Sequence, residues 1–214
     1  MKQPIPSVQT IKTILENRIP QPIMQHIPSS VMLLLFSIEN ELHLLFTKRA
    51  EHLAHQPGDI SFPGGRKEKN ETPLETALRE TQEELGILPE QITLLGKTDF
   101  MLTTSGALIT PFVGYVSNIT IEEISFNKDE VAEIFTVPLS FFRQTQPEVH
   151  FLYLSPFTED TFPYDRITGG KNYPFVRPKI PELFYQYKQY TIWGITAQIA
   201  HHAVCLFFQE EDKK

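Results

Sequence analysis

Short apolar runs separated by polar turns dominate the hydrophobic pattern of the chain. Residues 31–38 and 42–47 form two such runs around Glu39-Asn40-Glu41, which predicts a β-hairpin near the core. Further runs of strand length follow at 92–95, 108–116, 134–137 and 149–154. The pattern therefore predicts a sheet formed from several short strands.

Three other segments have helical spacing. Residues 7–19 carry apolar side chains at near-helical intervals after a possible Ser7 cap, and residues 191–208 have the length and spacing of a buried C-terminal helix. The clearest helix spans 73–85, with a capping box of Thr72 and Glu75 before it and Gly86 to end it.

The length of 214 residues suits one domain with short extensions. We expect a helix and a proline-containing lead-in at 1–30, the folded domain at 31–208 and a charged tail at 209–214. The proline-rich, aromatic stretch 156–181 predicts a lid or a long surface loop.

Composition excludes several classes of protein. A hydrophobic fraction of 41% with a net charge of −7 favours a packed core over disorder. Nineteen Lys and Arg against 26 Asp and Glu, without a basic stripe, argue against nucleic acid as a partner. Residues 1–20 carry no secretory pattern, and the longest apolar run is too short for a membrane span. With one cysteine, these features favour a cytoplasmic protein.

The helix at 73–85 gathers carboxylates on one face. Helical rotation places Glu80, Glu83 and Glu84 within one arc, beside the arc that packs. Like charges at this spacing repel, and a hard divalent cation such as Mg²⁺ or Mn²⁺ would compensate them. Arg79 could hold one carboxylate in its ligating orientation. On charge alone, an acidic solvent-facing surface is the simpler interpretation.

Histidine and cysteine offer weaker alternatives. His43, His52 and His55 suggest a zinc site, but carboxylates dominate the only convincing cluster, so loop or phosphate-facing roles are favoured. Cys205 lies in an apolar helical run and is predicted to be a buried core thiol.

The spacing of the acidic helix and its approach is that of a known motif. It resembles the Nudix box, G-x5-E-x7-R-E-U-x-E-E-x-G-U, in which U is a bulky aliphatic residue. The matching residues are Gly65, Glu71, Arg79, Glu80, Glu83, Glu84, Gly86 and Ile87. Thr81 stands where the motif has an aliphatic residue, and we expect this to lower stability rather than metal binding.

The resemblance implies a fold, a reaction and a set of residue roles. Nudix hydrolases are α/β proteins, an α/β/α sandwich around a mixed, curved sheet, and they cleave a nucleoside diphosphate linked to another moiety with Mg²⁺ or Mn²⁺. By this resemblance the metal ligands are Glu80, Glu83 and Glu84, and Arg79 is a supporting residue, as is Glu71. The Gly64 carbonyl is then expected near the metal, beside Gly65.

Residues before the box resemble a second motif, L-L-T-x-R-S-x3-R-x3-G-x3-F-P-G-G, of the coenzyme A pyrophosphohydrolase subgroup. The similar positions are 45–50, Gly58 and 62–65, whereas Phe46, Ala50 and Ala54 depart from the motif. Arg49 and Lys48 are the leading basic candidates for substrate phosphates, because coenzyme A carries a diphosphate and a 3′-phosphate.

The expected reaction is metal-dependent hydrolysis of coenzyme A or its derivatives to 3′,5′-ADP and 4′-phosphopantetheine or its acyl derivative. Two candidates for the general base stay open, Glu80 in the box and Glu130 before the strand at 134–137. One alternative substrate is another nucleoside diphosphate derivative, such as ADP-ribose, a nucleotide sugar or a dinucleotide. A non-hydrolytic nucleotide sensor is a second alternative, and a monomer and a homodimer both fit.

Overall fold

The computed structural model describes residues 5–20 and 22–209 and contains groups of strands separated by helices. The strands are β1 (Ile27–Ile38), β2 (Glu41–Arg49), β3 (Ile60–Ser61), β4 (Gly64–Arg66), β5 (Ile92–Lys97), β6 (Met101–Leu102), β7 (Ala107–Val116), β8 (Val131–Pro138), β9 (Glu148–Tyr153), β10 (Lys179–Tyr187) and β11 (Tyr190–Trp193). The helices are α1 (Val8–Glu16), α2 (Pro73–Leu85), α3 (Leu139–Gln144) and α4 (Gly194–Phe208).

The larger sheet is mixed and is organised around β1. Its main order is β3-β2-β1-β7-β5, with β1 and β7 parallel and the other pairs antiparallel. The predicted hairpin of β1 and β2 is confirmed, and both turn residues, Glu39 and Asn40, adopt positive φ angles of 50° and 64°. A two-residue turn of this hand matches the twist of the strands.

Alternate residues of β1 enter two separate cores. Leu33 and Leu35 pack in a cluster that includes Ala200 of α4, whereas Met32 and Leu34 pack in a cluster with Ala77 and Leu85 of α2. A strand buried on both faces appears in the sequence as an unbroken apolar run, because both sets of alternating side chains are apolar. The predicted α/β/α sandwich is therefore confirmed, with α2 and α4 on opposite faces.

The β1–β2 pair opens into a fork at one end. The two strands pair only from Ile38 and Glu41 to Leu35 and Leu44. Beyond this point β4 pairs with β1 and β3 pairs with β2, and residues 62–63 connect the two arms. β8 extends the β2 arm on its other side.

The C-terminal region departs from the prediction. The helix starts at Gly194 rather than at residue 191, because residues 190–193 form β11 and complete a second sheet of order β11-β10-β9. Trp193 ends this strand and stacks on Phe184 with ring centroids 5.7 Å apart. Within 156–181 the chain forms short 3₁₀ turns before β10 begins at Lys179.

Other expectations have simple outcomes. Ser7 caps α1 by accepting a hydrogen bond from the Thr10 amide at 3.1 Å. Cys205 is buried, as predicted. The charged tail falls, except for Gln209, outside the described residues. No helix in the described part of the chain has the length and apolar character that a membrane crossing needs.

The ring of Phe46 anchors the core between the sheet and α3. Phe46 is fully buried, and its ring centroid lies 4.8 Å from that of Phe62, 5.5 Å from that of Phe135 and 6.1 Å from that of Phe142. We predict that Phe46→Ala lowers the free energy of unfolding by about 3–5 kcal/mol, because it removes apolar burial and leaves a cavity. Phe100→Ala, at a side chain that is 70% exposed, is the matched control in urea unfolding. Equal effects of the two substitutions would contradict this role of Phe46.

Candidate active site

The box helix α2 has well-defined ends. The Thr72 hydroxyl accepts a hydrogen bond from the Glu75 amide at 3.3 Å, and the Glu75 carboxylate accepts one from the Thr72 amide at 2.6 Å. Gly86 ends the helix with φ of 67°, and its amide donates to the Gln82 carbonyl at 2.8 Å. This confirms the predicted bounds, so the spacing of the acidic residues along the helix is fixed.

The packing face of α2 accommodates the residue that departs from the motif. Thr81 is fully buried, and its hydroxyl donates to the Ala77 carbonyl at 2.7 Å. Because the buried hydroxyl is hydrogen-bonded within the helix, Thr81 fills an aliphatic position without leaving an unpaired polar group.

Arg79 lies at the centre of the acidic face. Its Nε atom donates to the Glu71 carboxylate at 2.7 Å, Nη1 to Glu83 at 2.8 Å, and Nη2 lies 2.9 Å from a Glu80 oxygen. Nη2 also donates to the Arg66 carbonyl at 3.2 Å. The hydrogen bond from Arg79 lowers the pKa of Glu71 to about 2. One guanidinium thus fixes three carboxylates and the end of β4.

Glu84 is the most deeply buried carboxylate of the site. It is 6% exposed, and its Oε1 accepts a weak hydrogen bond from the Gly64 amide at 3.4 Å. Burial raises the pKa of Glu84 to about 8, and the negative charges of Glu80 and Glu130 contribute in the same direction. The Gly64 amide and the positive charge of Arg49 oppose this rise. Glu84 therefore lies in a crowded acidic environment.

The two glycines before the helix permit close contacts that a side chain would prevent. A Cβ atom on Gly65 would lie 2.3 Å from an oxygen of Glu80, and one on Gly64 would lie 2.3 Å from the Ser30 carbonyl oxygen. Glycine is needed at position 64 for the backbone contact with β1 and at position 65 for the Glu80 side chain.

Burial raises the pKa of Glu80, although the positive charge of Arg79 partly offsets this effect.

Glu130 joins the site from the start of β8. Its negative charge raises the pKa of both Glu80 and Glu84. The structure therefore brings Glu130, which is distant in sequence, close to the acidic residues of α2. Asn127 holds it there: the Asn127 side-chain amide donates to Glu130 at 3.3 Å, and the Asn127 backbone amide donates to the Glu84 carbonyl at 2.8 Å. Sequence reasoning missed Asn127. Its signal was an Asn-x-Asp turn, in which the Asp129 amide donates to the Asn127 side chain at 3.1 Å.

The two basic residues of β2 lie in different surroundings. The positive charge of Arg49 opposes the rise in the pKa of Glu84, and the Arg49 guanidinium donates to the His55 carbonyl at 3.3 Å. The Lys48 amine instead lies 2.9 Å from the Glu51 carboxylate, and the hydrogen bond with Glu51 raises the pKa of Lys48. The negative charge of Glu133 adds to this rise. The pairing of β2 with β8 shifts register between Lys48 and Arg49, and only the Arg49 charge contributes to the surroundings of Glu84, whereas Lys48 pairs with Glu51.

The donor set fits a hard divalent cation. Glu80, Glu83 and Glu84 supply only oxygen, and burial leaves two of them with raised pKa values, which a bound cation would reverse. Across residues 5–20 and 22–209, however, no three acidic, histidine or cysteine side chains form a ready-made metal cage. The ion pairs with Arg79 partly explain the lack of such a cage, because they hold the Glu80 and Glu83 carboxylates at the guanidinium. A cation must therefore compete with a guanidinium for these two carboxylates.

Comparisons with known proteins agree with this arrangement. A family model described as "NUDIX domain" matches residues 26–149. Over 123 residues the chain is 37% identical to the mouse protein named peroxisomal coenzyme A diphosphatase NUDT7, covering 57% of this chain and 50% of that protein. It is 38% identical over 112 residues to Nudix hydrolase 3 of Caenorhabditis elegans, covering 51% of this chain and 47% of that protein.

A third relative matches over a longer region. The chain is 33% identical over 159 residues to a Photorhabdus laumondii protein named uncharacterized Nudix hydrolase NudL, covering 74% of this chain and 73% of the relative. The chain spans only about half the length of the mouse and C. elegans proteins.

The adjacent glycines give a paired test of the site. We predict that Gly64→Ala lowers the free energy of unfolding by about 1–3 kcal/mol, because the new methyl group meets the backbone of β1. Gly65→Ala meets the movable end of Glu80 instead, so it should leave stability nearly unchanged and weaken Mn²⁺ binding about 10- to 100-fold. Thermal unfolding and Mn²⁺ titration followed by electron paramagnetic resonance measure the two effects. Unaltered Mn²⁺ affinity in Gly65→Ala would argue against Glu80 as a ligand.

Proposed function

This chain belongs to the Nudix family, and on that premise we propose that it hydrolyses the diphosphate linkage of coenzyme A or its derivatives. The observation that carries the proposal is the convergence of Glu80, Glu84 and Glu130 with Arg49 at one site. The similarity to the mouse protein named a coenzyme A diphosphatase supports the choice of substrate.

We assign the metal ligands to the box carboxylates. Glu80, Glu83 and Glu84 would hold Mg²⁺ or Mn²⁺, which when bound activates water and stabilises charge on phosphoryl oxygens. Arg79 and Glu71 position these carboxylates, since Arg79 bonds to Glu71 at 2.7 Å while it pairs with Glu80 and Glu83. The Gly64 carbonyl completes the proposed oxygen set at the start of β4.

Two side chains would act directly on substrate and water. Arg49 would contact a substrate phosphate, since its planar guanidinium suits phosphate oxygens and it lies near enough to Glu84 to affect its pKa. The attacking water would lose a proton to Glu80 or Glu130 and form a new phosphorus–oxygen bond as the bridging bond breaks. The products from coenzyme A would be 3′,5′-ADP and 4′-phosphopantetheine.

The structure favours Glu130 as the base. Glu130 lies close enough to raise the pKa of both Glu80 and Glu84, and Asn127 orients its carboxylate. Glu80 is instead paired with Arg79 and is assigned to the metal, which leaves it less free to accept a proton.

Other substrates compete with coenzyme A in this proposal. Ala50 and Ala54 replace polar residues of the subgroup motif, which favours testing ADP-ribose, nucleotide sugars and dinucleotides. A non-hydrolytic sensor is less well supported, because Glu80, Glu83 and Glu84 are all present. We propose a cytoplasmic location with small-molecule partners, on the grounds of the single cysteine and the acidic composition.

A substrate panel tests the proposed function. We expect kcat/KM for coenzyme A to exceed that for ADP-ribose, a nucleotide sugar and a dinucleotide by about tenfold or more with Mg²⁺ or Mn²⁺. Chelation should abolish product formation. Glu84→Gln is the control for contaminating activity, and it should lose turnover on every substrate. Equal or better turnover of ADP-ribose would reject coenzyme A, and ligand binding without product formation would favour a sensor.

Two substitutions identify the base. We predict that Glu130→Gln lowers kcat about 10²- to 10⁴-fold while Mn²⁺ affinity is retained, because a general base acts on the water alone. Glu80→Gln should lower both kcat and Mn²⁺ affinity. Rapid-quench turnover at saturating metal, paired with metal titration, separates the effects. If neither variant loses more than about tenfold in kcat, both assignments are wrong.

A further inference from the structure

Strand β1 carries one buried polar side chain, Ser30. It is 1% exposed, and no described residue forms a hydrogen bond with its hydroxyl oxygen. A buried hydroxyl without a partner destabilises a folded chain, and such groups are rare in proteins. The other buried serine and threonine hydroxyls among the described residues are all bonded, Thr47 to Ser61, Thr76 to Glu71 and Thr81 to the Ala77 carbonyl. Ser30 is therefore an exception that needs a physical cause.

The side chain of Ser30 faces the box helix. β1 pairs with β7 without interruption from Ile27 to Phe36, so its side chains alternate between the two faces of the sheet. Met32 lies on the face that packs with Ala77 of α2. Ser30 is two residues before Met32 and thus belongs to the same face.

The neighbour of Ser30 across the strand pair is the Glu80 carboxylate. Ser30 is the register partner of Gly65 in β4. Side chains at directly paired antiparallel positions lie on the same face, with Cβ atoms about 4.5–5.5 Å apart. A Cβ atom on Gly65 would lie 2.3 Å from Oε1 of Glu80. The Glu80 carboxylate therefore occupies the space beside Ser30 that a side chain at position 65 would fill.

Glu80 and Ser30 are adjacent, but Arg79 holds the carboxylate. One Glu80 oxygen lies 2.9 Å from Nη2 of Arg79. A cation that binds Glu80 competes with this guanidinium, and the carboxylate oxygen that does not bind the cation then needs another donor. Carboxylates that ligate metals are generally hydrogen-bonded by neighbouring groups in this way.

We propose that Ser30 is a positioning residue of the cation site, whose hydroxyl donates a hydrogen bond to Glu80 when Glu80 leaves Arg79 to bind Mg²⁺ or Mn²⁺. This inference rests on the metal site of the proposed function. It gives the unpaired hydroxyl a partner in the metal-loaded enzyme. It also explains why the buried part of β1, which is otherwise apolar, begins with serine.

The variant Ser30→Ala separates this role from a structural one. We expect it to weaken Mn²⁺ binding about 10- to 100-fold in a titration followed by electron paramagnetic resonance. In chelator its unfolding temperature should equal that of the wild type or rise by up to about 5 °C, because the substitution removes an unpaired buried polar group. Ser29→Ala is the control, at the adjacent and partly exposed position on the other face of β1, and it should change neither measurement.

Two double variants identify the carboxylate through which Ser30 acts. Glu80→Ala removes the acceptor, so the addition of Ser30→Ala should weaken Mn²⁺ binding by no more than about twofold. Glu83→Ala removes a carboxylate that is 53% exposed and bonds to Nη1 of Arg79, so the addition of Ser30→Ala should there weaken binding by its full factor. Equal losses in the two backgrounds would mean that Ser30 does not act through Glu80, and would overturn the inference.

The remaining outcomes distinguish this inference from the proposed function. A wild-type chain that binds no Mn²⁺ overturns the metal site and the role of Ser30 together. Mn²⁺ binding that Ser30→Ala leaves unchanged overturns the role of Ser30 alone, as does a marked fall in the unfolding temperature of Ser30→Ala in chelator. A chain in which Mn²⁺ binding depends on Ser30 through Glu80, but which does not hydrolyse coenzyme A, supports the inference and rejects the proposed function.

Discussion

Charge crowding on one face of α2 is the constraint around which this part of the molecule is arranged. Arg79 supplies a single positive charge to Glu71, Glu80 and Glu83, and Glu84 lies buried beside them. The capping box, the two glycines before the helix and the packing of Thr81 all fix these groups in place. Carboxylates that are held together at an energetic cost favour the binding of a cation, which is the basis of the metal site proposed for this chain.

The fold provides this arrangement through a strand that is apolar on both sides. β1 contributes to the core under α2 and to the core under α4, so the acidic helix rests on a strand that cannot shift without disturbing both. The acidic residues thus lie on the side of α2 away from a rigid support, with Glu84 buried and Glu83 half exposed. Their geometry depends on side-chain pairing rather than on movement of the backbone.

Local signals predicted the parts of the structure that depend on neighbouring residues. The hairpin, the bounds of α2 and the burial of Thr81 follow from turn residues, capping residues and helical periodicity. β3, β4, β6 and β11 were missed because strands of two to four residues owe their existence to distant partners rather than to their own pattern. The nine-residue β10 was missed as well, because it begins inside the proline-rich stretch and contains Pro181. The different surroundings of Lys48 and Arg49 lie at a register shift between β2 and β8, and the role of Asn127 depends on a contact across the fold, so neither could be predicted from the local sequence.

The fork between β1 and β2 divides the chemistry between two arms. Glu84 and Gly64 belong to the β1 side, through α2 and β4, whereas Arg49 and Glu130 belong to the β2 side. The hydrogen bond from the Asn127 amide to the Glu84 carbonyl joins the two sides. The angle between the arms sets the spacing between the metal ligands and the groups assigned to phosphate and water. The proposed site is therefore assembled only when both arms of the sheet have folded and the Asn127 amide has joined them, so no single segment of the chain contains it.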